Sequence, residues 1–136
     1  MKAACLDIRN ILFPVDFSER CKAIRPLVKA IAAKFDATVT LYHALQIPAT
    51  LYPAMETSYI VEIDLDEMRE DAEEKLAAFY GIARQSLPDA VRIVVETGDP
   101  AASIVHYADA GNADLIMLPT HGYGKYRGLL LGSVAA

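Results

Sequence analysis

The chain is poor in the features that usually announce a compartment or a chemistry. It has two cysteines, Cys5 and Cys21, which do not form a C-x-x-C pair. That excludes a disulfide framework as the organising principle, and free thiols in a reducing compartment are expected. Nowhere do about 18 apolar residues run together, so no membrane span is expected. Met1 to Phe17 lacks the apolar stretch of a signal peptide. Ala3-Ala4-Cys5 has the small residues of a lipoprotein cleavage site, but no apolar region precedes it. A cytoplasmic protein is the expectation. The three histidines, His43, His106 and His121, fall at no metal-ligand spacing, so no structural zinc is expected. Basic clusters are also missing. Lys and Arg number 13 against 18 Asp and Glu, a net charge of −5. Nucleic-acid affinity depends on clustered cations that neutralise phosphates, so nucleic acid is not an expected partner. The acidic residues concentrate between Asp64 and Glu74, as on the solvated face of a helix.

What is present reads as one α/β domain over residues 1–136, long enough to bury a substantial core. Asn10 to Val15 (NILFPV) is a strand. A helix follows with Ser18 as N-cap, its apolar positions Ile24, Leu27, Val28, Ile31 and Phe35 recurring at helical spacing, and Asp36-Ala37 ends it. Thr38 to Ala44 (TVTLYHA) is nearly continuous in apolar and β-branched residues, as a strand buried on both faces should be. Leu45 to Ile63 has no clear period. A connection of about 20 residues is long for a compact domain and serves either as a lid or as a surface excursion packing its own aromatics. Asp64 and Glu67 have capping-box spacing, and Leu65, Met68, Ala72, Leu76, Phe79 and Ala83 line one helix face that Pro88 closes. Val91 to Thr97 is a third strand. Asp99 and Pro100 suit an N-cap and a first helical position, Ile104, Val105 and Ala108 give that helix its buried face, and Gly111-Asn112 ends it. Asp114 to Pro119 is a fourth strand, followed by a glycine-rich loop from Thr120 to Gly132. Alternating strands and helices imply βαβ crossovers, a doubly wound parallel sheet and helices on both faces.

In such sheets ligands bind beyond the carboxyl ends of the strands, where strand order reverses. Asp16 and the loop after strand four suit that place. The loop glycines let backbone N–H groups approach an anion. Gly132-Ser133 stands where another helix begins, and unpaired N–H groups there favour a phosphate. Lys125 and Arg127 add positive charge. The loop is not a Walker A sequence, because Gly124-Lys125 is followed by Tyr126. Gly122, Gly124 and Gly128 are one residue off the dinucleotide fingerprint and follow the wrong strand. No Ser-His-Asp or Cys-His arrangement is defensible. A phosphate cradle without an evident base argues for binding rather than dedicated catalysis, with at most slow ATP hydrolysis. His43 reads as a core histidine, His106 as structural or exposed, and His121 as a turn residue.

Leu115 to Val134 (LIMLPTHGYGKYRGLLLGSV) resembles the signature of the universal stress protein family, with Gly122, nine residues and Gly132-Ser133 matching. Ile11 to Glu19 (ILFPVDFSE) resembles that family's first strand and Asp-containing turn, Val95 to Pro100 (VETGDP) the entry to its third helix, and His43-Ala44 the end of its second strand. The resemblance implies strand order 3-2-1-4-5, with strands one and four adjacent. It implies a crevice for ATP or a related adenine nucleotide, with Mg2+ as companion ion, formed by Pro14, Val15, Asp16, Ala44, Leu118, Gly122, Gly132, Ser133 and Val134. Asp16 would contact the nucleoside, Ala44 would meet adenine through its backbone, and the glycines and Ser133 would hold ribose and phosphates. It also implies a stress-response regulator acting as a homodimer. Two departures stand out. Pro119 replaces the signature's first glycine and supplies no N–H. The chain ends at Ala136, short of the family's fifth strand. The rival expectation is a dimeric interaction module without nucleotide, and a small enzyme acting on a phosphorylated metabolite is the third.

Overall fold

A computed structural model describes residues 6–46 and 59–119. Four strands, β1 (Asn10–Pro14), β2 (Thr38–Leu45), β3 (Val91–Thr97) and β4 (Leu115–Ile116), form one parallel sheet in the order β3-β2-β1-β4. The register sets Asn10 against Thr38 and Pro14 against Tyr42, Ile11 against Leu115, and Val39 against Val91 through to Leu45 against Thr97. β1 and β2 occupy the middle of the sheet, and their residues Ile11, Leu12, Phe13, Leu41 and Tyr42 are fully buried. That is why these two segments lack apolar-polar alternation.

The helices divide between the two faces. α1 (Glu19–Phe35) and α2 (Tyr59–Tyr80) cover one face, where Val28, Ala72, Leu76 and Phe79 pack with Ile11, Phe13, Val39 and Val95. α3 (Pro100–Tyr107) covers the other, with Ile104 against Leu12 and Tyr42. The doubly wound parallel sheet is therefore as expected, and β1 and β4 are neighbours.

Local chemistry fixes the element ends. The Ser18 hydroxyl accepts from the Cys21 N–H, and Asp36 ends α1 in the left-handed conformation at φ 53°. The Asp99 carboxylate accepts from the Ala102 N–H, with Pro100 in the first turn of α3. Arg25 of α1 donates to the Phe79 carbonyl and lies over the Phe79 ring, and Lys29 lies over the Tyr80 ring, latching α1 to the end of α2.

Several expectations need correcting. α2 begins at Tyr59, so Asp64 lies inside it and is no cap. The helix ends at Tyr80 rather than near Pro88, because Gly81 takes φ 81° and the Gly81 and Ile82 N–H groups fold back onto the Ala78 and Ala77 carbonyls. Ala83 therefore lies beyond the helix, before a 3-10 turn at Arg84–Ser86. Leu27 and Val105 are more than half exposed instead of facing the core. β2 runs one residue further than expected, and β4 pairs over two residues only. The middle of the long connection, residues 47–58, lies outside the described residues.

Candidate functional site

The turn leaving β1 is built to present one carboxylate. The Val15 N–H donates to the Tyr42 carbonyl at 2.8 Å, and His43 Nδ1 stands 2.7 Å from the Val15 carbonyl. Facing a carbonyl, His43 Nδ1 carries a proton and donates there, so this histidine is a structural clamp on the end of β1. The Cys21 thiol lies 3.8 Å from the Pro14 carbonyl. Phe17 takes φ 63°, a conformation bulky residues rarely adopt. Its ring packs 4.9 Å from His43 and 6.2 Å from Phe79, centroid to centroid, and this packing holds the turn.

Pro14 and Val15 are buried and Asp16 is exposed. Pro14 and Val15 are thus withdrawn from solvent, and Asp16 is the group offered to it. Its Oδ1 accepts from the Ser18 N–H at 2.9 Å, which fixes the side chain. Partial desolvation opposes its charge. The Ser18 hydroxyl, the Cys21 thiol and backbone N–H groups outweigh that and hold the Asp16 carboxyl below the usual carboxylate range. Burial pushes the Cys21 thiol up to about 11, so it is not a nucleophile at neutral pH.

Two other expected site residues fall beside this turn in the topology. Ala44, half-buried, lies two residues past Tyr42, the last position of β2 paired with β1. Alternation along a parallel strand directs the Ala44 N–H and C=O to the same side as the Tyr42 carbonyl, past the last β1 pairing. Leu118 and Pro119, half-buried, follow the Met117 N–H bond to the Leu12 carbonyl. The carboxyl ends of β1, β2 and β4 thereby gather Asp16, Ala44 and Leu118 at the point where strand order reverses. Gly122, Gly132, Ser133 and Val134, with His121, Lys125 and Arg127, lie outside the described residues.

Sequence reasoning passed over a second concavity of about 590 Å3 at the carboxyl end of β3, lined by Val95, Glu96, Thr97, Arg69, Ser103 and His106 among others. Glu96 accepts a hydrogen bond from the Tyr42 hydroxyl at 2.6 Å. Burial, then that carboxylate, pushes the Tyr42 hydroxyl far up, so it remains a donor. The one sequence signal was an acidic residue near the end of an otherwise apolar parallel strand. Among the described residues no cluster of three or more His, Cys, Asp or Glu is placed to hold a metal ion. No described helix is long and apolar enough to cross a membrane.

A doubly wound parallel sheet with an acidic turn at its β1/β4 switch point defines a class of α/β proteins whose ligand site opens between those strands. The family model of the universal stress protein family matches residues 7–136. The chain belongs to that family. Among solved structures it is similar to hypothetical protein MJ0577, at 25% identity and TM-score 0.69 over 96% of this chain and 87% of that one. It is also similar to universal stress protein UspA from Lactobacillus plantarum, at 20% identity and TM-score 0.62 over 93% and 87%. A universal stress protein in complex with cAMP matches at 22% identity and TM-score 0.57 over 96% and 86%. No curated protein gave a match.

Proposed function

We propose that this chain binds an adenine nucleotide, ATP or a close relative, in the crevice beyond β1 and β4, and that it acts as a stress-response regulator rather than a dedicated catalyst. The observation that carries the reading is Asp16, exposed, ionised and held by its own turn at the switch point of the sheet. An ionised carboxylate only accepts hydrogen bonds and repels phosphate. It therefore suits the hydroxyl or amino donors of a nucleoside, with the phosphates directed away from it. The backbone of Ala44 would meet the adenine edge, over a floor of Pro14, Val15 and Leu118. Gly122, Gly132, Ser133 and Val134 of the signature would take the ribose and phosphates, with Mg2+ accompanying the phosphates. The family relative bound to cAMP is itself a protein with an adenine nucleotide.

Nucleotide binding regulates by favouring one conformation or assembly state over another, since a ligand shifts an equilibrium only through differential affinity. Native mass spectrometry with and without Mg-ATP tests the reading. Saturable uptake of one nucleotide per chain, lost in Gly132→Val while the fold persists, is the expected result. Full uptake by that variant would remove the proposed phosphate seat.

Pro119 favours a second reading. Proline in place of the first signature glycine withdraws one N–H from the loop, as fits a member that works as a dimeric interaction module without nucleotide. A folded protein that takes up no nucleotide at millimolar Mg-ATP would establish that second reading over the first.

A further inference from the structure

β3 is an edge strand: β2 lies on one side of it, and among the described residues no strand pairs with the other. The hydrogen bonds to β2 fix which of its backbone groups face outward. The Val39 N–H donates to the Ala90 carbonyl, and the Gly98 N–H donates to the Leu45 carbonyl. Even-numbered positions of this segment therefore turn their polar groups to β2, and Val91, Ile93, Val95 and Thr97 turn theirs outward. At the carboxyl end this outward edge opens onto the concavity that Val95 and Thr97 line.

The sequence of the strand, Val91-Arg92-Ile93-Val94-Val95-Glu96-Thr97, is self-complementary about Val94. Place a second copy antiparallel, with the two-fold axis at Val94. Ile93 then faces the second copy's Val95, and Val91 faces its Thr97. All four positions have outward N–H and C=O groups, so the hydrogen-bonding phase agrees. Arg92 faces Glu96 of the other copy twice over. Both pairs fall at the closely spaced non-hydrogen-bonded positions, where opposite charges attract across strands. Arg92 and Glu96 are both exposed, and among the described residues neither forms an ion pair within its own chain. A register shifted by two positions along one strand would lose both ion pairs, and a shift by one would set outward groups against inward ones.

We propose that the outer edge of β3 is a docking surface for a second copy of this chain, forming an antiparallel β3–β3 pair centred on Val94 and one continuous sheet across the dimer. The interface is isologous, as a two-fold dimer requires. It lies two strands away from the β1/β4 crevice, so it does not depend on nucleotide binding.

Charge reversal tests it. Sedimentation equilibrium of the full chain should give a dimer that Arg92→Glu weakens at least tenfold, because each pair becomes Glu against Glu. Glu96→Arg should do the same through Arg against Arg. Mixing the two variants should restore association as a heterodimer, because both cross-strand pairs are then again of opposite charge. Circular dichroism of each variant checks that it is folded. Should Glu96→Arg fail to fold without its Tyr42 bond, Thr97→Pro, at an exposed position, replaces it. That change removes an outward N–H which β2 does not use, and it too should dissociate the dimer. A chain that stays monomeric up to millimolar concentration, or a dimer as tight in Arg92→Glu as in the parent, overturns the proposal.

Discussion

At the residue scale, the chemistry concentrates in four consecutive positions. Val15 closes the β1–β2 ladder, Asp16 is displayed, Phe17 turns the chain at a positive φ, and Ser18 caps the next helix. Ser18→Ala should lower stability by about 1 kcal/mol, the ordinary loss of an N-cap, and should loosen Asp16 because the same turn holds both. Chemical denaturation gives the first effect. Gly98 is another position where backbone conformation decides. It takes φ 145°, and a Cβ there would lie 2.8 Å from the Ser103 Oγ. Gly98→Ala should cost about 1–3 kcal/mol from backbone strain alone, read as a lower thermal midpoint. Cys21 should behave as an inert thiol. With Cys5 replaced by serine, Ellman's reagent at pH 8 should label Cys21 only as fast as the protein unfolds. Prompt labelling of the native state would contradict its burial.

At the element scale, what was legible in the sequence was what local chemistry decides. Ser18 and Asp99 announce helix starts because a side-chain oxygen next to free N–H groups is a short-range interaction, and both caps form. The third strand was legible end to end, bounded by Pro88 before it and Gly98 after it. Asp64 and Glu67 had the right spacing for a cap but sit within a longer helix, because capping residues are also acceptable helix residues when a preceding turn continues the spiral. Leu27 and Val105 could not be placed from period alone: a 3.6-residue repeat allows a neighbour of the buried stripe to point outward. The difference is measurable. Val28→Ala, at a fully buried position, should cost about 1.5–3 kcal/mol, whereas Leu27→Ala at the exposed neighbour should stay within about 0.5 kcal/mol. The second concavity was missed because Glu96 reaches it from one strand, Arg69 from α2 and Ser103 from α3. That convergence is a tertiary fact. The sequence order of strands three and four likewise does not say that they lie on opposite sides of the β1–β2 pair. That ordering came from family resemblance, and the structure bears it out.

At the scale of the whole molecule, two carboxylates set the response to acid, and one of them ties distant segments together. The Asp114 carboxylate accepts from the Arg9 and Asn10 N–H groups, each at 2.9 Å, joining the start of β4 to the start of β1. Those backbone bonds hold its carboxyl below the usual carboxylate range, as the turn does for Asp16. A carboxyl whose folded-state pKa is depressed adds stability that is fully present above its unfolded value, about 3.9 for aspartate, and is lost as pH falls through the folded value. Stability should therefore decline as pH drops below about 4, and Asp114→Asn should flatten that decline. Thermal midpoints measured from pH 7 to pH 2.5 give both curves, and parallel curves would show that Asp114 does not contribute. The buried core of β1 and β2 carries no such titration, so it should set the stability that remains in acid.

The central claim, that Asp16 at the end of β1 holds the nucleoside of an adenine nucleotide, is tested most directly by isothermal titration of Mg-ATP into the parent protein and Asp16→Ala side by side. Removing one hydrogen bond to a charged group is worth about 1.5–3 kcal/mol, so the variant should bind at least tenfold more weakly, with its fold unchanged. Equal affinity in the two proteins would mean that the nucleotide does not touch this turn, and binding by neither would remove the nucleotide from the account altogether.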